Sequence, residues 1–438
     1  MSLPDKASWL PFAILPAVIF LHFMFFKVWG YPLTIAPFAL LCFILINFRV
    51  TLKETWLWAS FLLILPFGGL AWSLSRGANP DVLQYFRTYA LWSFASLVVL
   101  AAFISPVKKI FFKVWSLEKI SFLCLSILCA FSLMQVVLFA GWGSVILYNP
   151  FGDHQYLGKY DVSRFAASYI VRAAGLYLEP SFNAFIAITL YVVCLLGKFR
   201  LRSSSALTLL SLFAIQSMIG LLAFVALWMF IVMRALIGKD EAFKKVWIRL
   251  GLVNLMLALV VAYTGGVSGV INIVSGVSGV SWLSRIEELG KPSTSGYYRI
   301  VAPLGMLKDV LVNDPLGKPF GQIEQTLGYY HLLNGTQFGK TLDNGMYLLV
   351  FYFGWVGIAF LAFLLIRTVM LINSQGDMNE LILLVFTLLS FQFSGGILLP
   401  EYVLMLVMVI YQFRIFSSSV QHNGGVQRAN CSTEIRNA

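Results

Sequence analysis

Four groups of polar residues lie in or beside long apolar runs, where a charge is costly unless it binds a ligand or a partner. The first is Arg172-Ala-Ala-Gly-Leu-Tyr-Leu-Glu-Pro-Ser181, which sets Arg172, Tyr177 and Glu179 at the mouth of an apolar run. A guanidinium offers a planar fork of donors to phosphate oxygens. A carboxylate such as Glu179 can take a proton from a hydroxyl within hydrogen-bond reach. The plainer reading is a helix start at Glu179-Pro180-Ser181, where a carboxylate is favoured by ~0.3–1 kcal/mol. The second group is Tyr297-Tyr298-Arg299, ahead of a stretch with apolar residues at helical spacing and a turn cluster at Pro315-Leu-Gly-Lys-Pro-Phe-Gly321. Tyr298 suits the face of a sugar and Arg299 its phosphate; otherwise they are a solvated loop arginine and interfacial tyrosines. The third is Asp343-Asn344, heading an apolar run that contains Tyr347, Gly354 and Gly357. Asp343 is a second candidate base, and capping a helix is the alternative for both residues. The fourth is Arg87, one turn inside an apolar run, with Asp81 or a ligand phosphate as its counter-charge.

The elements that must position these groups follow from composition. The chain has 438 residues, 59% hydrophobic and 11% charged, against about 25% charged in a soluble domain. Several continuous apolar runs reach the ~20 residues that cross a bilayer as a helix. Their continuity favours helices over a barrel. The expected fold is all-α, a polytopic membrane bundle of about twelve transmembrane helices with two long external loops. The net charge of +12 reads as the basic excess of cytoplasmic loops, so nucleic acid is not an expected partner. Four of the five cysteines lie in apolar runs and the fifth, Cys431, in the tail. No external disulfide or zinc spacing follows from them. No Gly-x-x-x-x-Gly-Lys-Ser/Thr motif and no Asp-x-Asp pair is present.

The expected organisation is helices 1–5 over 1–141, a first periplasmic loop over 142–180, and helices 6–9 over 181–264. A larger periplasmic loop follows over 265–341, then helices 10–12 over 342–416 and a disordered cytoplasmic tail over 417–438. Helices 2 and 3 are expected over 32–47 and 55–74, with a cytoplasmic loop at Arg49 and Lys53. The apolar run 204–237 should split near Ser217-Met-Ile-Gly220. Both termini are placed in the cytoplasm. Basic residues in the two long loops are not needed for topology, which leaves them free to serve a site.

The stretches Arg172–Ser181, Ser295–Arg299 with Pro315–Gly321, and Leu342–Gly357 resemble the signature regions of the bacterial O-antigen polymerase and ligase superfamily (Wzy-like). The resemblance covers about 165–360. It departs where many members, and the ligases in particular, carry a His before the Asn of the third region; Asp343 stands there instead. The resemblance implies an inner-membrane glycosyltransferase that joins undecaprenyl-diphosphate-linked oligosaccharide repeat units on the periplasmic side, without metal or cofactor. The product would be O-antigen, capsule or exopolysaccharide. Glu179 and Asp343 would be catalytic; Arg172, Arg299, Arg87, Tyr298, Tyr177 and Asn344 would bind diphosphate and sugar. Partners would be the lipid-linked oligosaccharides, membrane lipid and a chain-length regulator (co-polymerase). The missing His counts against a ligase, and the absence of an evident internal repeat counts against a flippase or other transporter; both stay open.

Overall fold

A computed structural model of the protein describes residues 26–28, 31–33, 36–77, 79–104, 116–142, 180–237, 241–264, 297–332, 342, 344–373, 377–393 and 397–423. Apart from a short antiparallel hairpin, β1 (Phe26–Val28) with β2 (Tyr31–Leu33), the described elements are helices. Among the described residues six stretches are long and apolar enough to cross a membrane: Trp56–Ser75, Val82–Ile104, Leu117–Val137, Met218–Ile237, Lys244–Ala262 and Gly345–Asn373. Large apolar side chains such as Trp56, Leu83, Met256 and Phe363 remain exposed along them, as lipid-facing surfaces require. The protein is a multi-pass helical membrane bundle.

The first helix differs from expectation. α1 runs Ala36–Ile64 without interruption through Arg49 and Lys53, so the expected loop between helices 2 and 3 is helical. No Gly or Pro lies between Asn47 and Leu65 to break it. The break comes at Pro66, which opens α2 (Pro66–Ser75). Proline has no N–H to return to the carbonyl four residues back. That carbonyl, Leu62 O, accepts instead from Trp92 Nε1 at 2.7 Å, and Leu63 O accepts from the Tyr89 hydroxyl at 3.1 Å. Both donors sit on α3 (Val82–Ile104), so the break in one helix becomes a seam with the next.

α4 (Leu117–Trp142) and α5 (Pro180–Leu196) form the middle of the bundle. Every residue of α5 from Asn183 to Leu196 is buried. A helix that is apolar all round must sit among other helices, and α5 packs against α4, α6 (Leu201–Ile215), α7 (Met218–Ile237), α12 (Met378–Ser390) and α13 (Pro400–Asn423). α6 and α7 are parted at Gln216 and Ser217, close to the split expected from sequence. Gln216 takes a left-handed conformation and its N–H returns to Leu212 O.

α8 (Glu241–Thr264) covers α7. A π-helical turn, Tyr297–Val301, leads into α9 (Ala302–Asn313), and α10 (Ile323–Tyr329) follows. α11 (Gly345–Asn373) is the longest apolar helix. α13 reaches Asn423, so the first residues of the tail, 417–423, are helical where disorder was expected.

Candidate functional site

The site stretches meet the bundle at the end where α4 finishes and where α5 and α11 begin. Arg172, Tyr177, Glu179 and Asp343 lie outside the described residues, while Tyr298 and Arg299 are described in backbone only. What the structure places is the framework that carries them.

Pro180, the residue after Glu179, opens α5. α4 and α5 run antiparallel: Asn183 Nδ2 donates to Ser132 Oγ at 3.2 Å, and Cys194 Sγ lies 3.6 Å from Glu118 O. Pro180 therefore stands level with about Gln135. α4 continues seven residues beyond that, ~10 Å at 1.5 Å per residue. The entry to α5 is thus recessed relative to the end of α4. The side chains around it are polar but uncharged: Ser132, Gln135, Asn183, Gln216 and Ser217 are all buried. The Asn183 Oδ1 atom has no partner among the described residues. Buried acceptors are seldom left so, and this one can receive a hydroxyl.

The second and third stretches come together at the head of α11. The Tyr347 hydroxyl donates to Ile300 O at 3.0 Å, which fastens the π-helical turn holding Tyr298 and Arg299 to the first turn of α11. Asn344 caps that turn: its Oδ1 accepts from Met346 N at 2.9 Å, and its Nδ2 donates to Gln392 Oε1 at 2.8 Å. Next to Gln392, the Phe393 ring packs 5.6 Å from Phe185 of α5, which also stacks on Tyr402 at 5.2 Å. A continuous chain of contacts therefore joins the start of α5, the start of α11 and the turn containing Arg299.

Arg87 is exposed on the second turn of α3. Asp81, its expected counter-charge, caps α3 by accepting from Leu83 N at 3.0 Å and Gln84 N at 3.1 Å. A small apolar cavity lies between α3 and α11, lined by Trp92, Leu348, Leu349, Tyr352, Phe353, Ile397 and Leu398. His331, just after α10, is exposed.

The segment Asn313–Gly321 is the part of the site that sequence reasoning undervalued. α11 is broken at Gly354, whose φ of 54° and ψ of −127° are open only to glycine. In an unbroken helix Trp355 N would donate to Phe351 O. Here Trp355 N donates to Pro315 O at 3.0 Å, and Phe351 O accepts from Lys318 N at 2.8 Å. The loop is stitched into the helix through the donor and acceptor that the break releases. Gly317, at φ 86°, presses on the Tyr352 carbonyl, and a Cβ on Gly69 of α2 would stand 2.9 Å from Gly317 O. Phe320 is buried, 4.8 Å from the Tyr352 ring and 5.9 Å from Tyr85 and Phe353. The loop begins at Asn313 O, which accepts from Arg76 Nη1 at 2.6 Å and Trp72 Nε1 at 3.2 Å. From there the loop follows α2 to Gly69, against which Gly317 packs, and returns to α3 at Gly321. The glycine- and proline-rich string Pro315–Gly321 signalled a turn; nothing in it signalled a partner in the middle of α11.

Lys318, the residue after Gly317, reaches back towards the start of the loop, where its Nζ lies 2.7 Å from Asp314 Oδ2. α9 is latched to α10 by the Tyr330 hydroxyl, which donates to Asp309 Oδ2 at 2.9 Å. Burial, and then that hydrogen bond, push the phenol up to about 12. Among the described residues no group of three or more His, Cys, Asp and Glu is spaced to hold a metal ion.

The sequence is similar to known proteins over most of its length. The chain is 25% identical over 395 residues to the "Putative colanic acid polymerase" of Escherichia coli (strain K12), covering 86% of this chain and 90% of that protein. No solved structure matches it. The family described as WcaD colanic acid polymerase matches residues 12–415, nearly the whole length, and the chain therefore belongs to the colanic acid polymerase family.

Proposed function

We propose that the protein is an exopolysaccharide polymerase, a membrane glycosyltransferase that joins undecaprenyl-diphosphate-linked repeat units on the periplasmic side. The family match across residues 12–415 carries the reading. The contacts from α5 through Phe393 and Asn344 to the turn at Arg299 support it, because they let residues far apart in sequence act on one substrate.

The chemistry asks for two things. A diphosphate leaves well when the charge growing on it is met by fixed cations; Arg172, Arg299 and Arg87 take that role. The acceptor hydroxyl must lose its proton as the glycosidic bond forms; Glu179, with Asp343 as the second candidate, takes it. The bond from the anomeric carbon to the diphosphate oxygen breaks, the acceptor oxygen replaces it, and undecaprenyl diphosphate departs. Asn344 holds the head of α11 beside Asp343, Tyr177 and Tyr298 face the sugar, and the uncharged buried polar groups around Pro180 receive hydroxyls. The polyprenyl chain lies along the apolar bundle, and both termini lie in the cytoplasm.

The deciding experiment supplies the purified full-length protein with its own lipid-linked repeat unit as sole substrate and reads products by gel. A ladder is expected from the wild type and none from Arg172→Ala at equal membrane abundance. A normal ladder from Arg172→Ala would remove that residue from diphosphate binding. A wild-type protein that makes no ladder but transfers glycan to a lipid A core acceptor would be a ligase.

A further inference from the structure

We propose that Lys318 and Arg76, brought to the two ends of the first half of the re-entrant loop, form a second cationic binding site for the diphosphate head of a polyprenyl-linked substrate or product. The inference rests on the polymerase reading for the identity of the lipid; the site itself rests on the loop.

Irregular backbone at membrane depth is tolerated only where protein buries it or where it lines a cavity. The loop from Asn313 to Gly321 meets that condition through unusual means: a broken helix, two backbone hydrogen bonds into the break, and glycines at Gly317, Gly321 and Gly354 with positive φ. So much local conflict is expected where function requires it. The segment carries an ion pair, Lys318 with Asp314, next to the residue that Arg76 holds. Asp314 is 10% exposed and Lys318 is 28% exposed. A partly buried ion pair contributes little net stability, since desolvation offsets the attraction.

The two cations converge on adjacent residues. Arg76 Nη1 bonds the main-chain oxygen of Asn313, and Lys318 Nζ bonds the side chain of Asp314. Each keeps further donors: a guanidinium has five N–H groups and an ammonium three. Arg76 is exposed and Trp72 beside it is half-buried. Two cations with spare donors, one compact and one planar, match two linked phosphates. The loop adjoins apolar surface: Tyr352 and Phe353, which touch Phe320 of the loop, also line the small apolar cavity between α3 and α11.

The test is equilibrium binding of sugar-free undecaprenyl diphosphate to the purified full-length protein in lipid nanodiscs, with undecaprenol as the uncharged control. Wild-type protein is expected to prefer the diphosphate to undecaprenol. Lys318→Met and Arg76→Met should each weaken diphosphate binding about ten-fold, the loss of one charge-assisted hydrogen bond. Lys318→Arg should retain most of it, and undecaprenol binding should not change. A purely structural ion pair is separated by the exchange Asp314→Lys with Lys318→Asp. This keeps the pair but moves the ammonium to the more buried position. Wild-type affinity in the exchanged protein, or in Lys318→Met, would overturn the proposal, as would equal affinity for undecaprenol. Wild-type protein that binds undecaprenyl diphosphate through Lys318 yet makes no ladder would sink the polymerase reading and leave this site standing. A ladder with Lys318-independent binding would do the reverse.

Discussion

Two interruptions of apolar helix in this bundle are healed in different ways. Between α6 and α7 the chain turns at Gln216 and Ser217, and the repairs are local: Gln216 N returns to Leu212 O, and Gly220 N donates to Ser217 Oγ at 3.2 Å. In α11 the break at Gly354 is repaired by Pro315 and Lys318, more than thirty residues away in sequence. A break closed by its own neighbours makes a corner in the scaffold. A break closed by a distant loop makes the helix and the loop depend on each other. The first kind lies beside the entry to α5; the second is tied to the loop whose approach segment carries Arg299.

Substitutions can break that contrast. The largest effect is expected from Gly354→Ala. Alanine must adopt a left-handed backbone with its Cβ against Pro315 O, and strain plus overpacking amount to about 2–6 kcal/mol. Polymer should be lost, and proteolysis of the loop 313–321 should become fast while α6 and α7 stay protected. Equal protection of the loop would show that the stitch holds nothing. Phe320→Ala removes a buried ring from the same loop and should cost about 3–5 kcal/mol, read as a fall in thermal unfolding temperature with the same local proteolysis. Gly220→Ala tests the other interruption. Its Cβ would meet Ala184 Cβ and Leu212 Cδ2 at 2.7 Å. Those are side chains, so a cost of about 1–3 kcal/mol with the loop still protected is expected; an exposed loop would mean that the two breaks are coupled.

Smaller effects sharpen the picture. Asn344→Ala removes a helix cap worth about 1 kcal/mol and takes the donor from Gln392 Oε1; stability should fall modestly and polymer yield with it. The latch between α9 and α10 makes a pH prediction. The Tyr330 phenol is raised from its ordinary value near 10 to about 12, chiefly by burial. The fold favours the protonated form, so its contribution is complete below pH ~10 and fades as pH rises towards about 12. Hydrogen exchange of α9 and α10 should be flat from pH 7 to 9 once corrected for intrinsic rates, and Tyr330→Phe should abolish the alkaline change. Arg367→Ala serves as the baseline. It breaks only the exposed pair with Glu380, 2.8 Å in length, and should shift stability by less than about 1 kcal/mol.

Composition alone was sufficient for the class of fold, because a chain with so few charges and such long apolar runs can satisfy its backbone only as helices in lipid. The string Asp343-Asn344 announced the start of α11, and Asn344 does cap it, since a cap depends on a few neighbouring residues. The split of the run 204–237 was also legible from length, as no single helix of that size fits one bilayer. Arg49 and Lys53 misled: charge marks a boundary only when the backbone can turn there, and it was Pro66 that broke α1. The rest needed the tertiary structure. Phe393 against Phe185, Tyr347 on Ile300, and above all Trp355 on Pro315 are pairings between segments remote in sequence. Gly354 is one glycine among 34, with nothing in its neighbours to show that a loop would enter the helix there. Local rules act over one or two turns of chain, whereas a broken helix and the loop that mends it are chosen by which surfaces the packed bundle brings together.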